Sequence, residues 1–259
     1  MVISLKNVTK IFGKNRVLDD VSVRFPTGCL SVVVGTHESG KRTLLRLLAG
    51  ELKPDSGRVI TKRRTSKAFA YENNDFFTGL KIADYCTLWS LLYKSFDMQK
   101  FRNMLSKAGI AENNKFQTFS EGMKMWFKVS LVLASNADVM IFDEPLLHLD
   151  SEMKYGLISI LEETAKNGGT VVVTSQEITE FEKSSGFVAA LNNGTLVLAG
   201  ETEKLLVSHR LMPGASTISP DFKVIGPVLN ERLVETTDEV GRSATLKEIV
   251  SGYINGSNS

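Results

Sequence analysis

Apolar and polar residues alternate over residues 2 to 8 and again over 17 to 25, the period of a strand with one face buried. Between them, Gly13, Lys14 and Asn15 have the chemistry of a tight turn, so the two runs are read as an antiparallel hairpin with Phe12 just before its turn. Leu30 to Val34 is a different kind of segment. Its run is apolar but for the small Ser31, as in a central parallel strand covered on both faces, and leucines at helical spacing follow over Thr43 to Ala49 until Gly50 stops them. Lys53-Pro54-Asp55-Ser56-Gly57 is a turn, with strands expected at about 58 to 61 and 67 to 71.

From Ile82 to about Ile110 the period becomes helical, with Leu88, Leu91, Leu92, Phe101, Met104 and Leu105 three or four residues apart. Ser120 is a good N-cap for a helix carried on by Lys124 to Leu133. Val139 to Phe142 and Thr170 to Thr174 are two more buried strands, separated by an amphipathic helix over Leu157 to Ala165 that Gly168 and Gly169 end. Phe187 to Leu191 and Thr195 to Leu198 form a hairpin about Asn192-Asn193-Gly194. Beyond Pro213 the texture changes to short strand-like pieces, Phe222 to Ile225 and Arg232 to Thr236, then a helix from about Leu246 to Ile254 and a Gly/Ser/Asn tail expected to fray. A boundary is therefore placed near Pro213.

Composition narrows the class. A chain of 259 residues with 42% apolar residues can bury a sizeable core, and 31 Lys+Arg against 29 Asp+Glu is too small an excess to argue for nucleic acid or an anionic membrane. Cys29 and Cys86 lack metal spacing and read as reduced thiols. The N-terminus shows no charged region followed by an apolar one, and no window reaches about 18 unbroken apolar residues. A cytoplasmic protein is expected.

The candidate chemistry begins at Val32 to Leu44, VVVGTHESGKRTL. A strand running into Gly35, Thr36, His37, Glu38, Ser39, Gly40 and Lys41 is how a chain wraps amide N–H groups around phosphates at a helix N-terminus, the lysine reaching the terminal oxygens. The residue after the lysine should be a hydroxyl that holds Mg²⁺. Here it is Arg42, and Thr43 comes one position late, about 100° further round the helix. Taken alone, the loop also reads as an ordinary βα turn. The second motif is Val139-Met140-Ile141-Phe142-Asp143-Glu144, a buried strand ending in two carboxylates, where the aspartate can hold Mg²⁺ through water and the glutamate can orient or deprotonate an attacking water. Asp-Glu-Pro is equally ordinary turn chemistry.

In order, Phe12, GTHESGKRT, Tyr71-Glu72, Phe119-Ser120-Glu121-Gly122-Met123, VMIFDEP, His148-Leu149-Asp150 and Val173-Thr174-Ser175-Gln176 resemble the nucleotide-binding subunit of an ABC transporter over roughly residues 2 to 210. The separation of FSEGM from DEP, about twenty residues, is that of the family's signature from its carboxylate strand, and the context looks like bacterial exporters whose signatures read FSxGMK. The tail beyond residue 210, including Thr245-Leu246-Lys247-Glu248-Ile249, also looks like the C-terminal extension of that group.

The resemblance implies an α/β phosphate-loop domain with an antiparallel β subdomain, a helical subdomain at about 81 to 135, and a small extension over 214 to 259. It implies that Phe12 stacks on the adenine of ATP, Lys41 meets its phosphates, Asp143 holds Mg²⁺ through water, and Glu144 is catalytic. Ser120 and Gly122 would close on the γ-phosphate bound by a partner cassette. Each also has a packing reading: Phe12 as hairpin core, Ser120 as an N-cap, Gly122 as a helix start. Five departures converge on one site: Arg42 for the metal's hydroxyl, Glu38 for a loop glycine, Glu72 for the glutamine that senses metal and phosphate, His148 for a small residue, and Gln176 for the switch histidine. The expectation is an ATP-binding subunit of an exporter, peripheral on the inner membrane face, its own site impaired and paired with a competent second cassette beside membrane-spanning subunits. The alternatives are a non-catalytic interaction module and a soluble ATPase acting on ribosome or DNA, which would be expected to show two fused nucleotide domains or long coiled-coil insertions.

Overall fold

The hairpin expected from the first alternation is longer than its apolar residues indicate. In the computed structural model, which describes residues 3–72 and 80–257, β1 (Ile3–Phe12) and β2 (Asn15–Phe25) pair antiparallel until Phe12 meets Asn15 across a two-residue turn. Their outer ends are exposed at Ile11 and Phe12, so apolar count alone understates them. Val2, Asn258 and Ser259 lie outside the described residues.

β3 (Leu30–Gly35) is buried along its whole length and delivers the chain to α1 (Lys41–Ala49). β4 (Ser56–Thr61) returns to β1, closing a three-stranded antiparallel sheet of order β2-β1-β4, while β5 (Lys67–Ala70) begins a different sheet. α2 (Ile82–Leu92), α3 (Met98–Lys107) and α4 (Glu121–Ala134) build the helical portion around an aromatic cluster. Phe127 lies 5.1 Å from Tyr85 and 5.6 Å from Phe116, centroid to centroid, and Trp126 donates its indole N–H to the Met104 carbonyl at 2.7 Å. Such ring pairs contribute about 0.5–1.5 kcal/mol each beyond the area they bury.

β6 (Val139–Phe142) is followed by α5 (Ser151–Lys166), which starts six residues before its first expected residue. Asp150 caps it, accepting from the Met153 amide at 2.8 Å, and of its first six residues only Met153 packs on the core, so no apolar period marks them. β7 (Thr170–Ser175), β8 (Ser185–Asn192) and β9 (Thr195–Glu201) complete a six-stranded sheet of order β5-β6-β7-β3-β8-β9, parallel except for β9. The turn between β8 and β9 holds Asn193 at φ 45° and Gly194 at φ 80°, as its Asn-Gly sequence requires.

After α6 (Thr202–Ser208), β10 (His209–Pro213), β11 (Lys223–Val228), β12 (Glu231–Glu235) and β13 (Arg242–Ser243) form a third sheet of order β11-β12-β10-β13. Its strand β10 ends at Pro213, so the C-terminal sheet begins at His209, ahead of the change in texture. α7 (Leu246–Gly256) packs on β11, β8 and β9 and extends through Asn255 and Gly256, residues read as tail.

The central sheet separates two apolar layers. Val33 joins Ile3, Phe25, Leu44 and Leu45 beneath the antiparallel sheet and α1, whereas Val32 and Val34 face Phe142, Leu157 and the helical portion. Parallel pairing of β3 with β7 and of β6 with β7 aligns their C-terminal ends, which places Gly35, Asp143 and Ser175 along one edge.

Candidate nucleotide site

At that edge the loop between β3 and α1 turns through two left-handed residues, Glu38 at φ 60° and Gly40 at φ 100°. Gly40 is required: a Cβ there would meet Leu18 Cδ2 at 2.6 Å and the Val17 carbonyl at 2.8 Å. Glu38 holds a conformation that costs a non-glycine residue roughly 1 kcal/mol. A Cβ on Gly35 would meet the Leu191 carbonyl and Ser39 Oγ, both at 2.4 Å. α1 therefore starts with its first amides directed past the loop, and among the described residues no side chain caps them. The Ser39 hydroxyl is buried without a hydrogen-bond partner among the described residues.

Loop, strand ends and β7 exit enclose a cavity of about 480 Å³ lined by His37, Glu38, Ser39, Gly40, Lys41, Arg42, Thr43, Glu72, Asp143, Glu144 and Gln176, with Asn15 and Val17 at its side. Gly35 and Thr36 do not line it, and instead accept the Lys41 ammonium on their carbonyls at 2.7 and 2.9 Å. Burial pushes the Lys41 pKa down, against the pull of the Glu144 and Asp143 carboxylates. Phe12 lies outside the cavity, 45% exposed with the Lys10 ammonium 5.3 Å from its ring centroid. Ser120 and Gly122 also lie elsewhere, at the start of α4. Ser120 caps it, accepting from the Met123 amide at 3.2 Å, and a Cβ on Gly122 would come 2.6 Å from the His148 carbonyl.

The arrangement of charge is specific. Arg42 Nε donates to Asp143 Oδ2 at 2.7 Å and Arg42 Nη2 to Glu72 Oε2 at 2.7 Å, so one guanidinium bridges the strand-end carboxylate and the second residue after β5. The other Asp143 oxygen accepts from the Thr174 hydroxyl at 2.7 Å, and that hydroxyl accepts from the Glu144 amide at 3.0 Å. Burial raises the Glu144 pKa, and Asp143 nearby adds to the effect while Lys41 and the Gln176 amide oppose it.

These residues do not fit Mg²⁺. Both oxygens of Asp143 are engaged, the side chain after Lys41 is a cation, and Thr43 sits a further position round α1, half-buried. Among the described residues no group of three His, Cys, Asp or Glu is placed to hold a metal.

Two residues of the site carry no signature of their own in the sequence. Thr174 stands inside Val173-Thr174-Ser175-Gln176, where the resemblance points to Gln176. Lys128 of α4 is buried among apolar neighbours and donates to the Glu72 and Tyr71 carbonyls at 2.7 and 3.2 Å, tying α4 to the segment that carries Glu72. Its signal was a single cation in the run Met125 to Ala134.

A phosphate loop on a central parallel strand, paired carboxylates at the end of β6 one strand further across the sheet and a helical portion between them in the chain define a P-loop ATPase of the cassette type. Residues 18–147 match the ABC transporter family, and the chain belongs to it, as an ATP-binding subunit. The methionine import ATP-binding protein MetN of Clostridioides difficile is 26% identical over 91% of this chain and 83% of its own length. The arginine transport ATP-binding protein ArtM of Bacillus subtilis is 28% identical over 81% and 95%. A dimeric ATP-binding cassette in a post-hydrolysis state, bound to ADP and phosphate, superposes with a TM-score of 0.68 at 22% identity, over 77% of this chain and 98% of that one. Among the described residues no helix is long and apolar enough to cross a membrane.

Proposed function

We propose that this chain couples ATP binding to export through separate membrane-spanning subunits, on the cytoplasmic face of the cell membrane, and that it pairs with a second, intact cassette rather than with a copy of itself. The observation that carries the asymmetric pairing is the Arg42 bridge. It occupies the carboxylate on which the family's metal chemistry depends, while Ser120 and Gly122, which would serve the partner's nucleotide, keep the family's residue types. Glu38 and Gln176 depart from the pattern on the same cavity, whereas His148 does not line it and lies with its carbonyl against Gly122 at the start of α4. Export is supported by the FSEGM signature followed by Lys124 and by the C-terminal unit; MetN and ArtM are named for import and for arginine transport, so direction rests on those features alone. We treat residues 1–213 as the cassette, with its helical subdomain at about 81–135, and 214–259 as the extension.

The test is ATP turnover by the purified chain and by the assembled complex. The isolated chain should bind ATP weakly, with Kd in the micromolar to millimolar range of about −8 to −4 kcal/mol, and hydrolyse it poorly. In the complex, Ser120→Arg should cripple transport while Lys41→Ala harms it less. Brisk Mg²⁺-dependent turnover by the isolated chain, abolished by Glu144→Gln, overturns the impaired site, and equal damage from the two variants overturns the asymmetry.

A further inference from the structure

We infer that nucleotide binding at this chain's own site is uncoupled from metal binding: the Arg42 guanidinium is the resident cation, and the nucleoside triphosphate is taken without a protein-bound Mg²⁺. The inference rests on reading the cavity as an ATP site. A divalent ion reaching Asp143 would have to take Oδ2 from Arg42, and the carboxylate is only 3% exposed, with its second oxygen held by Thr174. The displaced guanidinium would stay tethered beside the ion, because Glu72 holds its Nη2 at 2.7 Å and α1 fixes its backbone. A like charge at that range opposes the metal directly.

Arg42 is also placed to meet phosphate itself. Among the described residues two of the five N–H donors of its guanidinium are used, and the side chain is 49% exposed on the cavity wall next to Lys41. Among the described residues the lining carries two cations, Lys41 and Arg42, against the carboxylates of Glu38, Glu72, Asp143 and Glu144. That acidic excess keeps affinity low with or without metal. Nothing in it restores a seat for Mg²⁺, since Arg42 already bridges the two carboxylates that flank it.

The experiment is a titration of the purified full chain with N-methylanthraniloyl-ATP, competed by ATP, once in excess Mg²⁺ and once in EDTA. The two Kd values should agree within about threefold, and Arg42→Thr, which frees Asp143 and Glu72, should weaken binding in EDTA by about tenfold or more relative to Mg²⁺. A wild-type protein that loses about tenfold or more in EDTA overturns the inference and leaves ATP binding standing. Absence of binding in both buffers overturns it together with the ATP-site reading. An Arg42→Thr protein that melts like wild type yet shows no metal dependence overturns the assignment to Arg42, and if that variant does not fold the wild-type ratio decides alone.

Discussion

Replacing Thr174 by Val removes one oxygen and keeps the shape of the side chain, at a position with no solvent exposure. Among the described residues the hydroxyl has two bonds, one donated to Asp143 Oδ1 at 2.7 Å and one accepted from the Glu144 amide at 3.0 Å. A hydrogen bond to a charged group contributes about 1.5–3 kcal/mol, and a buried N–H left without an acceptor costs about 1–3 kcal/mol. Arg42 still holds the other Asp143 oxygen and Glu144 is half-buried, so the lower ends of those ranges apply and the loss is about 2.5–4 kcal/mol. Thr174→Ser is the control. It keeps the oxygen and deletes one buried methyl, at about 1 kcal/mol. Urea unfolding followed by Trp89 and Trp126 fluorescence measures both, and in a thermal scan each kcal/mol corresponds to about 2–4 °C at this chain size. If the Val variant is as stable as wild type, or loses less than the Ser variant, the hydroxyl does not hold the two carboxylate residues together and the reasoning fails.

Four further outcomes are expected. Lys128→Met keeps the buried stem and removes the donor to the Tyr71 and Glu72 carbonyls, so urea unfolding should show a loss of about 1–3 kcal/mol, and a gain would show that desolvating the ammonium outweighs its bonds. Glu144 has a folded pKa above the ordinary 4.5, first because it is buried, so its ionised form strains the fold; Glu144→Gln should raise Tm at neutral pH, and the difference should vanish as pH falls below 4.5. Glu248 is held down to about 2, first by its hydrogen bond to Arg242, so its contribution is present above 4.5 and lost as pH falls toward 2; Glu248→Gln should cost about 1 kcal/mol at pH 7 and close to nothing at pH 2, read from Tm against pH. Arg42→Thr, Glu38→Gly and Gln176→His combined should raise the ATPase rate of the assembled complex, and no gain with an intact fold would move the limitation to Glu72 and His148.

The central strands were legible because a parallel strand is apolar on both faces, and Leu30 to Val34, Val139 to Phe142 and Thr170 to Thr174 carry no interruption except the hydroxyls Ser31, Thr170 and Thr174. The glycine loop and the Asp-Glu pair were legible because backbone wrapping and paired carboxylates leave local spacing behind. Elements without an apolar period were not. α5 opens on six residues of which only Met153 packs on the core, and β10 is five residues long with its partners at 231–235 and 242–243, a pairing no local pattern encodes. Arg42 could be seen to displace a hydroxyl, but its partners lie 101 and 30 residues away, and only parallel pairing of β3, β7, β6 and β5 brings them within 2.7 Å.

The same contacts form a chain through one subunit. Lys128 pins α4 to the backbone at Glu72, Glu72 pairs with Arg42, Arg42 with Asp143, and Asp143 reaches the Glu144 amide through Thr174. α4 is also the helix that begins with Ser120 and Gly122, and Gly122 admits the His148 backbone so closely that any side chain there would strike it. In the proposed pairing, Ser120 and Gly122 face the partner's nucleotide while the other end of this chain of contacts closes on the subunit's own loop. A cassette that donates its signature to another site gains from a fixed α4, since a hydroxyl and amides aimed at a phosphate act through preorganised position. The Arg42 bridge supplies part of that fixity, because it satisfies Glu72 and Asp143 without waiting for a metal. On this account the substitution that impairs one site helps to hold the subunit in the shape that serves the other, and Arg42→Thr should loosen the signature end even where it repairs the loop.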